Sequence, residues 1–137
     1  MASNKIIRFG PVALTTTTTT NIINPPTVSG GTGLAGTNSA TYVVIRHIRV
    51  VNKTNTAASA AFWLGATGAN TAGTEVVFGG VATAGALNAG TGVSVPANSY
   101  VDWYGQMRMD TSDFLVGGAG TATALTFEAE GEIGVAG

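Results

Sequence analysis

Apolar and polar residues alternate along this chain with a period close to two. The opening segments, "KIIRF" at residues 5–9 and "PVALTTTTTTNI" at 11–22, are rich in β-branched side chains. Such residues favour extended backbone because their χ1 is stiff. "TYVVIRHIRVVNK" at 41–53 follows, with Tyr42, Val44, Arg46, Ile48 and Val50 on one face and Val43, Ile45, His47, Arg49 and Val51 on the other. Both faces are apolar, which predicts a strand covered on two sides. "SAAFWLGATG" places Phe62 and Leu64 opposite Trp63, and "TEVVF" and "VSVPANSY" give shorter extended runs. "SYVDWYGQMRM" sets Val101, Trp103, Gly105 and Met107 against Asp102, Tyr104, Gln106 and Arg108. The last run, "ALTFEAEGEIGV", is the cleanest: Leu125, Phe127, Ala129, Gly131, Ile133 and Val135 face one way, with Thr126, Glu128, Glu130 and Glu132 facing the other. That is the signature of a half-solvated antiparallel strand. No segment has the 3.6-residue spacing of a substantial helix.

Turn-forming residues separate these runs. Eight or nine short strands punctuated by Gly, Pro and Asn predict an all-β fold, an antiparallel β-sandwich or a barrel. The 137 residues fit a single domain. Within it, residues 1–40 are expected to be an extended Thr-rich N-terminal arm and a Pro/Gly-rich loop, and residues 41–137 the sandwich. The run Thr15–Thr20 reads as an edge strand or as an arm laid on a neighbour. Asn24–Ser39 is a loop of a length that is usually functional or disordered. It contains Gly31, Gly33 and Gly36 in a formal G-x-G-x-x-G. Dinucleotide binding needs a strand before that motif, a helix after it and an acid about 20 residues on. Here a strand follows and the first acid is Glu75, so no cofactor is expected.

Composition sharpens the picture. Charged residues make up only 9% of the chain, against about 25% in ordinary soluble domains. A surface this neutral is expected to face other protein. The 45% hydrophobic content argues against disorder. With no cysteine, there is no disulfide, thiolate metal site or thiol nucleophile, which fits synthesis in a reducing cytoplasm. The first twenty residues lack the uninterrupted apolar run of a signal peptide, and no window approaches the ~18 apolar residues of a membrane helix. An outer-membrane barrel would carry aromatic girdles, which the sequence lacks.

The charges are segregated. Residues 1–74 carry +5 (Lys5, Arg8, Arg46, Arg49 and Lys53), and residues 75–137 carry −6. Either the two halves interleave and neutralise each other, or a basic face meets an acidic partner. The five basic residues of that first half, in a chain that is acidic overall, release too few counterions for useful nucleic-acid binding. His47 is the single imidazole, and catalysis through it requires a pairing with Asp102, Asp110 or Asp113 in space. The plainer expectation is an imidazole packed in a strand and hydrogen-bonded to a neighbour. One histidine cannot build a zinc site. Glu128, Glu130 and Glu132 form an acidic row that is solvated, paired with arginine, or less plausibly bridged by a cation. Arg46, Arg49 and Arg108 are the expected partners, within the chain or across a subunit boundary. A buried unpaired arginine is costly, so Arg46 or Arg49 should meet an acid.

At "YVVIRHIRVVNKTNTAASAAFWLGATG" and "VPANSYVDWYGQMRMDTSDFLVGGAGTATALTFEAEGEIG" the chain resembles small virion proteins of tailed bacteriophages, and in size and neutrality it is similar to the capsid decoration (cement) proteins among them. The shared features are a strand ending in R-x-V-N, a V-P-A-x-S turn and the closing T-A-T-A-L-T-F-E-A-E-G strand, spanning roughly residues 41–133. The resemblance implies a sandwich or jelly-roll protomer, often a homotrimer, that binds the major capsid protein on the capsid exterior and is made in the host cytoplasm. It implies no enzyme activity, cofactor or metal. Lys5, Arg8, Arg46 and Arg49 are then candidate contacts to the lattice. Glu128, Glu130, Glu132 and Arg108 are candidates for charge pairing between subunits. The alternatives are a tail, fibre or baseplate component, or a carbohydrate-binding module presenting Tyr42, Trp63, Trp103 or Tyr104.

Overall fold

The computed structural model describes residues 5–17, 21–23, 41–64, 74–75, 92–110 and 113–135. Within them lie β1 (Lys5–Ala13), β2 (Asn21–Ile23), β3 (Thr41–Asn52), β4 (Ala58–Leu64), β5 (Thr74–Glu75), β6 (Val93–Val95), β7 (Ser99–Met109), β8 (Leu115–Ala119) and β9 (Leu125–Val135). One sheet has the order β1-β9-β3-β7 and the other β2-β8-β4-β5, with β6 also paired to β4. Every pairing is antiparallel.

This order has a simple origin. Folding the chain back on itself as one long hairpin pairs β1 with β9, β2 with β8, β3 with β7, and β4 with β6, leaving β5 at the hairpin's end. All four rungs are present, and β5 pairs with the remaining length of the same edge of β4. Rolling that hairpin brings β9 beside β3 and β8 beside β4, and both pairs are found. The protein is a jelly roll, the two-sheet solution to an all-antiparallel chain. The sandwich expected from the alternating pattern is therefore correct, and the barrel is not formed.

The core fills the space between the sheets. Phe9, Val43, Ile45, Ile48, Val50, Met107, Met109, Leu125 and Phe127 come from the first sheet; Ile22, Ile23, Ala58, Ala60, Phe62 and Leu115 come from the second. Phe62 and Phe127 meet across the gap with ring centroids 5.4 Å apart, tilted by 47°, a favoured aromatic arrangement. Asn52 is the buried polar residue in this region. Its amide donates to the carbonyls of Thr56 and Val95, and its oxygen accepts from the Thr54 amide and hydroxyl. Every bond that the side chain can form at once is made, which is what its burial requires.

Two expectations change. The expected arm is, for its described length, part of the sandwich: β1 is an edge strand on β9, and β2 lies in the opposite sheet. Thr15–Thr17 lie beyond β1 and are not strand; Thr18–Thr20, the Asn24–Ser39 loop and its glycine motif fall outside the described residues. The second change concerns β3. Its register slips between Ile45 and His47 against both neighbours. Val43 and Ile45 point into the core before the slip, Ile48 and Val50 after it, while Arg46 and His47 both stay out of the core. The apolar residues on both nominal faces thus belong largely to one face that changes phase. β3 is covered by the core on one side, as a bulged strand. Gly131 of β9 permits this, because a Cβ there would run into the Val44 carbonyl and Ile45.

Candidate functional site: the outer face of the β1-β9-β3-β7 sheet

The phase slip in β3 sets what this sheet shows to the outside. Outward positions are Ile6 and Arg8 on β1, Glu128, Glu130 and Glu132 on β9, Arg46, His47 and Arg49 on β3, and Tyr100, Asp102, Tyr104 and Arg108 on β7. Because β9 sits between β1 and β3, the acidic C-terminal strand is flanked by the two basic N-terminal ones. The two charge halves of the sequence therefore interleave.

Most of these charges meet. Arg46 Nε and Nη2 both reach Glu132 Oε2 at 2.5 Å. Arg49 donates to both oxygens of Asp102, at 2.7 and 3.0 Å. His47 Nε2 lies 2.8 Å from Asp102 Oδ1, so one carboxylate serves two bases. Arg8 is 3.8 Å from Glu128, and Arg108 Nε is 2.6 Å from Asp110. The fork on Arg49 is the strongest of these contacts, since bidentate guanidinium–carboxylate pairs combine charge with fixed geometry. Its effect is visible in ionisation. Hydrogen bonding from Arg49, and secondarily from His47, holds the Asp102 carboxyl down at about 2 against the opposing effect of partial burial. The same bond raises the Arg49 guanidinium above its ordinary value.

Aromatic rings lock the cluster. His47 stacks on Tyr104 with centroids 4.6 Å apart and planes 11° from parallel. Arg49 lies 4.2 Å over the Tyr100 ring and Arg108 lies 4.4 Å over Tyr42, both within cation–π range. Tyr104 is nevertheless 71% exposed, Tyr100 52% and Ile6 85%. These three exposed large hydrophobics share this one face. Shallow depressions mark it as well. One of ≈ 440 Å³ is lined by Ile6, Arg46, His47, Glu130, Gly131 and Glu132. Another, of ≈ 560 Å³, lies between Tyr42, Val44, Arg46, Gln106, Arg108 and Glu132.

Of the residues singled out in the sequence, Arg8, Arg46, Arg49, Arg108, Glu128, Glu130 and Glu132 are thus gathered on one surface. The side chain of Lys5 lies outside the described residues. Arg8, Arg46 and Arg49 do not form a free basic patch, because each has a carboxylate beside it. Arg46 meets the acidic row, at Glu132, whereas Arg49 turns to Asp102 on β7. His47 has the hydrogen-bonded neighbour expected for a packed imidazole. Among the described residues no hydroxyl or thiol is bonded to that imidazole, and Asp102 is already committed to Arg49. Nor does any group of three metal-ligating side chains occur among them. Tyr100 and Tyr104 are the members that sequence reasoning did not assign to this cluster, and Asp102 entered it only as one of three acids that could meet His47. Their alternation with Val101 and Trp103 was the available signal. Of the aromatics considered for glycan binding, Trp63 is fully buried and Trp103 packs against the core.

No protein-family model matches the chain, and no curated protein matches it by sequence. Among solved structures it is similar to a chain of the naturally occurring empty particles of cowpea mosaic virus (top component). The TM-score is 0.41 and the identity 12%, over 98% of this chain and 88% of that one. It is also similar to a chain in the structure of infectious bursal disease virus, Gt strain, at a TM-score of 0.25 and 14% identity, over 96% of this chain and 28% of that one. Values this low do not assign the fold; the strand order above does.

Proposed function

We propose that this protein is a structural component of a virion, a jelly-roll subunit that assembles with other capsid subunits by its outer sheet face. The observation that carries this reading is the outer face of the β1-β9-β3-β7 sheet. In a chain with only 9% charged residues, it gathers Ile6, Tyr100 and Tyr104 in the open among neutralising ion pairs. Exposed aromatics beside arginines, with few unbalanced charges, are the composition of a protein contact. Jelly rolls are a common architecture of capsid domains.

In its sharper form, the protein decorates the outside of a bacteriophage capsid, binding the major capsid protein lattice as a homotrimer and contributing no catalysis. The sequence resemblance supports that form. Quantitative mass spectrometry of purified virions against the major capsid protein tests it. Hundreds of copies per particle are expected for a decoration protein. A handful would make it a tail, fibre or baseplate part, and none would remove it from the virion.

A second reading has one observation in its favour. Tyr104 is an exposed ring beside Asp102, His47 and Arg49, and jelly rolls also serve as lectin domains. Glycan-array binding that is lost in Tyr104→Ala, with the fold intact, would select the carbohydrate-binding module.

A further inference from the structure

The ion pairs of the outer face leave two charges over. Glu130 is exposed on β9, opposite Arg8 and His47 in register. Yet the cations of this face are within 4.0 Å of Glu128, Glu132, Asp102 and Asp110, and among the described residues none comes within that distance of Glu130. Lys53 is exposed just beyond β3 and likewise has no carboxylate among them. After the phase slip the outward positions of β3 are His47, Arg49 and Val51, and Lys53, just past the strand, lines a depression together with Val51 and Tyr100 at that end of the face. The unmatched acid and the unmatched base therefore lie on the same side of the same sheet. Glu130 is level with His47, six residues from Lys53, a separation of about 20 Å along the strand.

A lone acid and a lone base on one face are complementary to a copy of that face. Turned over by a two-fold axis and laid on its twin, the surface puts Lys53 of each chain over Glu130 of the other. This is the isologous arrangement in which each contact occurs twice. The receiving ground suits a lysine. The ≈ 440 Å³ depression at Glu130 has the exposed side chain of Ile6 in its wall. A lysine can lay its methylenes on such an apolar surface and present its ammonium to the acid. Tyr100 and Tyr104 occupy β7 alongside the span between the two contacts and would lose their exposure. The remaining arginines and carboxylates already neutralise one another, so the face approaches its copy without a like-charge barrier.

We infer that this outer face is a self-association surface, on which two copies of the chain pair face to face through reciprocal Lys53–Glu130 contacts. The contact names a second copy of the chain as the partner of the face that the virion reading uses for assembly, and the pairing can be measured without a virion. It uses the sheet face and leaves the edges at β1 and β7 available to any ring the subunits form.

Charge reversal on the full chain tests it, read by sedimentation equilibrium over a range of concentrations. The wild-type chain should form a species with an even number of copies. Glu130→Lys and Lys53→Glu should each raise the dissociation constant of that pairing ~10-fold or more, since each sets like charges together. The double variant restores the attraction with its sign inverted and should return to within ~3-fold of wild type. Both sites are exposed, and an unchanged near-ultraviolet circular dichroism spectrum verifies the fold of each variant. A wild-type chain that stays single at every concentration overturns the inference, as do single reversals without effect. Dissociation in both single variants that the double fails to reverse overturns it too. The copy number per virion is a separate readout, so either proposal can fail alone.

Discussion

The two sheets of this jelly roll treat their outer faces in opposite ways. On β4 both faces are apolar and both are buried: Ala60 and Phe62 enter the central core, while Ala61 and Trp63 join Val116 in a second cluster with Phe114 against it. On β3 only one face is buried in the chain, and the other carries Arg46, His47 and Arg49 amid their partners. One sheet thus has core on either side of its central strand. The other is a wall with a finished inner side and a worked outer surface. Stability should therefore reside disproportionately in the outer side of β4, and association in the outer side of β3.

The largest effect that tests this contrast is at Trp63. Trp63→Ala should destabilise the protein by about 3–5 kcal/mol, the usual range for a fully buried large aromatic, measured by urea unfolding. Tyr104→Ala on the opposite sheet should cost less than about 1 kcal/mol. Equal losses at the two positions would break the comparison. Gly131→Ala should come next, at about 2–4 kcal/mol, because the added methyl meets backbone at the β3 slip, which cannot move aside as a side chain can. A silent Gly131→Ala would mean that the slip is soft and that the outer face is not held in one register.

Much of this contrast could be read from the chain, and the part that could not has a definite cause. Strict alternation in "ALTFEAEGEIGV" and "SYVDWYGQMRM" gave the facing of β9 and β7 correctly, since neither strand changes phase along its length. The same reasoning placed Trp63 opposite Phe62. It failed on "TYVVIRHIRVVNK", where period-two counting assumes a constant phase and one extra residue at Arg46–His47 inverts the assignment of everything after it. A strand with one buried face and a slip looks in sequence like a strand with two. Arg46 does meet the acidic row, but its side chain is half exposed, so the cost of a buried unpaired arginine is not what pairs it, and the turn of Arg49 to Asp102 depends on which strand lies on the far side of β3. That is a property of topology. Asn52 was visible only as the end of an R-x-V-N pattern; its four hydrogen bonds come from the turn it organises and from β6, 43 residues away.

Asn52→Ala sharpens the comparison at the boundary of the two sheets. It takes the side-chain partner from the Val95 carbonyl and the Thr54 amide, while the Thr56 carbonyl keeps the Thr54 hydroxyl, and should cost about 2–3 kcal/mol by chemical unfolding. Asp102→Asn is expected to be milder, lowering Tm by about 3–6 °C at neutral pH. Its pH dependence is the more telling readout. The Asp102 carboxyl is depressed to about 2 in the folded chain, against about 3.9 when unfolded. Its stabilisation is therefore complete above the unfolded value and disappears as pH falls through the folded one. The gap between wild type and Asp102→Asn should be flat from pH 7 down to about 5 and close toward pH 2. A gap that closes by pH 5 would mean that Arg49 does not hold the carboxylate.

The smallest effect is expected at Arg8, and it separates pairing from contact. Its guanidinium lies 3.8 Å from Glu128 with 64% of the side chain exposed, a geometry in which Coulomb attraction is screened and ordering two long side chains offsets it. Arg8→Ala should change stability by less than about 0.5 kcal/mol, and a double-mutant cycle with Glu128→Ala should give a coupling near zero. The Arg46–Glu132 cycle, with two guanidinium nitrogens on one oxygen, should give about 0.5–1 kcal/mol. If Arg8 and Glu128 couple as strongly as Arg46 and Glu132, the whole face is an intramolecular lattice and its charges are committed to the fold. If they do not, Arg8 is free to serve a neighbour at no cost to the chain that carries it. Any loss of assembly in Arg8→Ala can then be assigned to the contact itself.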